Sequence, residues 1–180
     1  AVILWDYMWG WSGSTPVAGD YNGDNRSDLA VYDDLNGVWF ITPIPNSYYN
    51  GIPVCNPLAW NLSWGWTGAR PISGDFDGDG VFDLAVVDPK TGAWFIYSLA
   101  KRSILGWNIH WGWNGAEFMS GDYDGDGASD LTVFDKATGR WFIYSVAKQE
   151  VVKWNVNWGF SGVTPVAGDY DGDGITDLTV

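Results

Sequence analysis

Cysteine is almost missing: Cys55 is the only one in 180 residues. No disulfide within the chain can therefore staple the fold, and Cys55 reads as a buried thiol or as a link between chains. Histidine is equally scarce. His110 is the only one, and its counterparts in the repeats described below are Met8, Ser63 and Asn157, which suits a surface strand position. No Ser/His/Asp set, phosphate loop or thiolate cluster is present, and the free acidic residues are too few and scattered to make an acid/base pair. An enzyme is not expected. The nine Lys plus Arg are dispersed, which leaves no basic stripe for nucleic acid. No apolar run approaches the roughly 18 residues of a membrane span. Ala1–Leu4 is too short for the core of a signal peptide and has no basic residue before it. A start without Met fits a processed or excised chain. Helical periodicity is nearly absent as well, whereas Gly-rich turns and abundant Val, Ile, Thr, Trp, Tyr and Phe point to an all-β fold.

What the chain has in excess is aspartate, in one arrangement. In Asp75-Phe-Asp77-Gly-Asp79-Gly-Val81-Phe-Asp83 the carboxylates fall at positions one, three, five and nine, with glycines among them. Carboxylates this crowded repel one another unless a hard cation lies between them, and oxygen ligands at this spacing suit Ca²⁺. A helix-flanked calcium hand would need a bidentate Glu at position twelve, where this loop has Val86 and runs into Leu84-Ala-Val-Val87. The loop is expected between two strands.

It occurs four times. The others are Asp20-Tyr-Asn22-Gly-Asp24-Asn-Arg26-Ser-Asp28, Asp122-Tyr-Asp124-Gly-Asp126-Gly-Ala128-Ser-Asp130 and Asp169-Tyr-Asp171-Gly-Asp173-Gly-Ile175-Thr-Asp177. Expected ligands are the side chains at positions one, three, five and nine and the backbone carbonyls of Arg26, Val81, Ala128 and Ile175. The first loop, with Asn22 in place of Asp and Arg26 adding positive charge, is expected to be the weakest. A metal-free set of Asx-turns is the alternative, and it leaves the clustered carboxylates unpaired. These loops hold 15 of the 22 acidic residues, and four Ca²⁺ would bring the net charge of −13 to about −5.

The tryptophans keep the same register. Trp5, Trp60, Trp107 and Trp154 correspond, as do Trp9, Trp64, Trp111 and Trp158, at spacings of 55, 47 and 47. A 47-residue repeat has the length of a four-stranded propeller blade. The extra residues fall within 43–57, an elaborated loop holding Tyr48, Tyr49 and Asn50. Each repeat divides into four extended pieces. The first is Thr15–Gly19, recurring as Arg70–Gly74, Glu117–Gly121 and Thr164–Gly168. The second is Leu29–Tyr32, recurring as Leu84–Val87, Leu131–Phe134 and Leu178–Val180. The third is Val38–Ile41, with Ala93–Tyr97 and Arg140–Tyr144, and the last holds Trp-Asn-x-x-Trp-Gly-Trp. Strands two and three read as apolar on both faces, as in blades packed around an axis; a sandwich should alternate more cleanly and a β-solenoid needs shorter coils. The expected organisation is a single β-propeller or propeller segment. Its repeats run over 15–66, 67–113 and 114–160, flanked by partial blades at 1–14 and 161–180. Ala1 aligns with Glu150 and Val180 with Val133. The fourth blade thus has first and second strands from the C-terminus, its outermost strand from the N-terminus and no third strand. Open edges beside Leu178–Val180 and along Val2–Trp5 are expected to favour self-association, as an oligomer or filament. Because every Trp sits at a repeat-registered position, packing between blades is the expected role, with a carbohydrate platform as the alternative.

Phrases such as Pro165-Val-Ala-Gly-Asp-Tyr-Asp-Gly-Asp-Gly-Ile-Thr-Asp-Leu178 and the later Gly-x-Trp-Phe-Ile resemble the FG-GAP/VCBS repeats of bacterial extracellular proteins. They are also similar to the calcium-binding blades of integrin α-subunits and of fungal propeller lectins. The resemblance covers essentially the whole chain, although those relatives close rings of seven or eight blades. It implies a calcium-stabilised, extracellular, non-enzymatic propeller used for adhesion or as a structural scaffold, with a protein or glycan ligand; a lectin is the alternative.

Overall fold

The computed structural model describes residues 7–45, 48–49, 52–53 and 56–180. Among these there is no helix, and the regular structure is β throughout. Three four-stranded antiparallel sheets follow one another along the chain. The first joins β1 (Ser14–Pro16), β2 (Leu29–Asp33), β3 (Val38–Thr42) and, after a small hairpin of β4 (Tyr48–Tyr49) and β5 (Ile52–Pro53), β6 (Ala59–Ser63). The second is β7 (Arg70–Gly74), β8 (Asp83–Asp88), β9 (Ala93–Ser98) and β10 (Ser103–His110). The third is β11 (Glu117–Gly121), β12 (Asp130–Asp135), β13 (Arg140–Ser145) and β14 (Glu150–Asn157). Each is a meander in sequence order, the form expected of a blade.

The core lies between sheets rather than within one. Alternate side chains of a strand point to opposite faces, and β8 uses both. Leu84 and Val86 join a buried cluster with Tyr21, Tyr32 and Trp39 of the first repeat. Ala85 and Val87 join another, with Phe118, Leu131 and Val133 of the third. This is why β2, β8 and β12 read as nearly continuous apolar runs. The third strands differ from expectation. In β9 and β13, Phe95 and Phe142 are only half-buried between buried neighbours, so one face borders an open groove.

The hairpin between second and third strands turns on Gly37, Gly92 and Gly139, with φ of 70°, 72° and 74°, a left-handed conformation that glycine adopts freely. A second constraint acts there. A Cβ on Gly92 would lie 2.3 Å from the carbonyl carbon of Gly112, and one on Gly139 2.3 Å from that of Gly159. The turn glycine and the glycine of Trp-Gly-Trp are thus required together, because the fourth-strand tail crosses directly over the turn.

Among the described residues the fourth repeat does not form a sheet of its own. Thr164–Gly168 and Leu178–Val180, read as strands from sequence, are joined by an isolated bridge between Gly168 and Asp177 and by a hydrogen bond from Val166 N–H to the Thr179 carbonyl. No strand flanks Leu178–Val180 on its other side among the described residues, and an isolated pair this short is marginal in water. The proposed N-terminal outer strand, including Trp5, lies outside the described residues, as do Asn50 and Cys55.

Candidate metal centre

Each acidic loop joins the first strand of a repeat to the second, and its first aspartate organises it. Asp122 Oδ1 accepts the N–H groups of Asp124, Gly125 and Asp126 at 2.7–3.3 Å, and its Oδ2 accepts that of Gly127 at 2.8 Å. Asp20 does the same with residues 22–25. There, burial works to raise the carboxyl, but the converging N–H groups hold it below its ordinary value. Asp75 and Asp169 serve their loops likewise. The Asx-turn reading therefore describes how the loops coil.

It does not account for the ninth position. Asp83 and Asp130 are fully buried. Their Oδ2 atoms accept the N–H of Phe76 and Tyr123 at 2.8 and 2.9 Å, but their Oδ1 atoms are buried without a hydrogen bond, as are Oδ1 of Asp77 and Asp124. Burial pushes the Asp83 carboxyl up to about 7, aided by the charges of Asp77 and Asp75 and opposed by the Phe76 N–H and by the nearby Ser98 hydroxyl, which stands outside hydrogen-bond geometry. It pushes Asp130 up to about 6. A buried acceptor left unpaired costs about 1–3 kcal/mol, so these atoms call for a positive partner.

Three loops offer converging carboxylates. One oxygen from each of Asp75, Asp77 and Asp83 lies within 4.8 Å of the others, and so do those of Asp122, Asp124 and Asp130 and of Asp169, Asp171 and Asp177. An all-carboxylate donor set is the chemistry of a hard divalent cation. The fifth-position aspartates stand outside these sets. Oδ1 of Asp24, Asp79, Asp126 and Asp173 accepts the N–H of Arg26, Val81, Ala128 and Ile175 at 2.8–3.0 Å.

The first loop solves its charge problem differently. Asn22 Nδ2 donates to Asp28 Oδ1 at 3.1 Å, so the oxygen left bare in the second and third loops is satisfied here by an amide.

Two cations at the rim were not foreseen from sequence. Lys101, in the β9–β10 turn, lies 2.9 Å from Asp77 and 3.5 Å from Asp79. Lys148, in the β13–β14 turn, lies 2.8 Å from Asp124 and 3.3 Å from Asp126. Their 47-residue spacing was the available signal; the first repeat carries Asn46 at the matching place.

The loops are also linked to each other. Phe82 N–H donates to the Asp20 carbonyl at 2.7 Å, and Ser129 and Thr176 donate to Asp75 and Asp122 at 2.5 Å. The loop of one repeat thus docks by its backbone on the next.

Residues 122–180 match the FG-GAP-like repeat family. Over this stretch the chain is similar to FG-GAP-like repeats. No curated protein and no solved structure matches it. The matched stretch spans the third and fourth acidic loops with strands β12–β14 of the third sheet between them, and the first two repeats carry the same loop between the same two strands.

The tryptophans, all assigned to packing from sequence, divide into groups. Trp39, Trp94 and Trp141 are fully buried, each donating Nε1–H to the carbonyl of Trp64, Trp111 or Trp158 at 2.6–2.8 Å. Trp64 and Trp111 bridge to the following sheet, donating to the carbonyls of Phe95 and Phe142. Trp60, Trp107 and Trp154 instead stand about two-thirds exposed. Tyr48 and Tyr49, the other ligand candidates, form β4.

Proposed function

We propose that this chain is an FG-GAP-type, non-enzymatic, calcium-stabilised β-propeller module that works outside the cell as an adhesion or structural scaffold. The observation that carries the reading is the pair of buried, unpaired Oδ1 atoms of Asp83 and Asp130 among converging carboxylates. Calcium would be held by Asp75, Asp77 and Asp83 in the second loop, Asp122, Asp124 and Asp130 in the third, and Asp169, Asp171 and Asp177 in the fourth. The carbonyls of Val81, Ala128 and Ile175 would complete the sets, with the Oδ2 atoms that the backbone leaves free on Asp79, Asp126 and Asp173. Asp20, Asn22, Asp24, Arg26 and Asp28 form the weakest site. The ion supplies the positive charge that the loops lack. Because adjacent loops are joined backbone to backbone, fixing them fixes the angle between sheets and favours closure around an axis. Extracellular calcium modules bind at roughly 10⁻⁴–10⁻³ M. Calorimetric titration of the EDTA-treated chain should show calcium binding in that range, with magnesium much weaker. No heat of binding at millimolar calcium, and no calcium by elemental analysis, would refute the metal reading.

A second reading, a carbohydrate-binding lectin, is favoured by one observation. Trp60, Trp107 and Trp154 present largely exposed indoles beside Phe40, Phe95 and Phe142, with ring centroids 5.0–5.2 Å apart. Exposed aromatic faces repeated at fixed spacing suit stacking on sugar rings. Retention on a glycan array, lost in Trp107→Ala without loss of fold, supports it; no retention of the native chain excludes it for the sugars displayed.

A further inference from the structure

The groove beside the third strands holds a recurring arrangement of rings. Between the first and second sheets, Phe95 meets Trp66 at 5.1 Å and Trp107 at 5.0 Å between ring centroids, with planes 85° and 88° apart. Trp64 stands on a further side, 6.1 Å from Trp107. Trp66 is 38% exposed and Trp107 65%, so these rings border solvent instead of filling a core. They line an open cleft of about 540 Å³. The tail after β6 supplies Trp64 and Trp66, and the second sheet supplies Phe95 and Trp107; both sheets carry all four strands. The same triad recurs as Trp113, Phe142 and Trp154 between the second and third sheets, and as Trp11, Phe40 and Trp60.

Aromatic walls suit both sugars and organic cations, and the polar lining decides between them. A sugar also needs fixed hydrogen-bond partners for its hydroxyls. Few are left here. Trp64 Nε1–H is given to the Phe95 carbonyl, the Trp64 carbonyl already accepts Trp39, and the Trp66 carbonyl already accepts Tyr32. No charged or amide side chain lines the cleft, and its one hydroxyl is that of Ser63. A quaternary ammonium needs no such partner. Its methyl groups bury against the rings while its charge is attracted by their negative faces, most strongly by Trp. Neither Lys nor Arg lines the cleft, so no cation of the chain repels or replaces the ligand. The net charge of −13 favours the approach of a cation.

We propose that the cleft among Trp64, Trp66, Phe95 and Trp107 is a binding site for a trimethylammonium group, as carried by choline and its esters. The two equivalent triads offer the same box of nearly perpendicular rings. The site does not depend on calcium. It uses the indoles that the carbohydrate reading would use, so a titration with each ligand separates the two.

The probe is choline, titrated into the full chain and followed by tryptophan fluorescence and calorimetry. Saturable binding is expected. The tert-butyl analogue of choline, in which carbon replaces the charged nitrogen, should bind about tenfold more weakly. Trp107→Leu keeps an apolar wall but removes the π face, and should lower the number of choline sites by one. Trp107→Tyr keeps a π face and should retain the site. Circular dichroism checks the fold of both variants, and if the leucine variant unfolds, the comparison of choline with its analogue on the native chain decides alone. Cosedimentation with phosphatidylcholine vesicles, weakened by Trp107→Leu, would assign the group to a lipid surface; choline binding without cosedimentation would assign it to a soluble choline compound. No saturable choline binding, equal binding of the tert-butyl analogue, or an unchanged number of sites in folded Trp107→Leu overturns the proposal. Retention on a glycan array without choline binding would overturn it in favour of a sugar.

Discussion

Asp83→Asn should stabilise the chain without calcium and lose much of that advantage when calcium is present, and the difference between the two conditions is the test. In the native chain Asp83 is fully buried, with one carboxylate oxygen on the Phe76 N–H and the other without a partner. Burial raises its folded-state pKa to about 7, above the ordinary 3.8. Between those values the folded state holds more protons than the unfolded one, so metal-free stability falls as pH rises through about 7. The amide keeps the shape, removes the charge and offers an N–H to the neighbouring carboxylates, as Asn22 does to Asp28. Relief of an unpaired buried acceptor is worth about 1–3 kcal/mol, so in EDTA at pH 8 the variant should be more stable. With calcium at ten times Kd, each native site adds about 1.4 kcal/mol, or roughly 3–6 °C in Tm for a chain of this size. The variant should lose the second-loop share of that increment. Thermal unfolding by circular dichroism, at pH 5 and pH 8 with and without calcium, gives all the terms. A variant that is less stable than native in EDTA at pH 8, yet gains as much as native from calcium, would show that Asp83 is neither a strained carboxylate nor a ligand.

Trp94→Ala should cost about 3–5 kcal/mol in urea unfolding, because the indole is fully buried and its loss also orphans the Trp111 carbonyl. Trp107→Ala should cost only about 1–2 kcal/mol, for its edge contacts with Trp64 and Phe95; equal costs would show that the division between buried and exposed tryptophans is wrong. Lys101→Met removes an ammonium that competes for Asp77 and Asp79 and should tighten calcium binding at the second loop a few-fold, as expected for an exposed ion pair. Unchanged calorimetric affinity would mean that the lysine does not compete. Gly92→Ala should destabilise by more than about 1 kcal/mol, since the new methyl meets Gly112 at a positive φ; an unaffected Tm would refute the close crossing.

Much of this was legible in the sequence because repetition averages out local ambiguity. A single Asp-x-Asp-x-Asp loop is a weak signal, but four in register, each followed by an apolar run, place the loop between strands. The strand ranges followed closely: Arg70–Gly74 and Glu117–Gly121 were read as they are found, and the second and third strands of the complete repeats differ by a residue at their ends. The turn glycines were legible too, since a short hairpin needs a positive φ. Their second role, letting the Trp-Gly-Trp tail cross over them, was not, because sequence carries no distance between residues 20 apart.

Tertiary structure alone decided which member of a repeated set does which job. Fourteen tryptophans share a period, but period says only that each has an equivalent environment, not whether that environment is wet or dry. The structure buries Trp94 and exposes Trp107 because one faces the neighbouring sheet and the other the groove beside Phe95. The aspartates likewise share one motif, yet positions one, three and nine converge while position five turns to the backbone. Tyr170, in the same Gly-Asp-Tyr-Asp-Gly-Asp-Gly context as Tyr123, is exposed because no third strand lies beside it among the described residues. The sequence by itself determined the unit, its strands and its acidic loop, because those follow from local chemistry repeated at a fixed interval. Burial and convergence follow from which unit lies beside which, and only the folded chain brings those neighbours together.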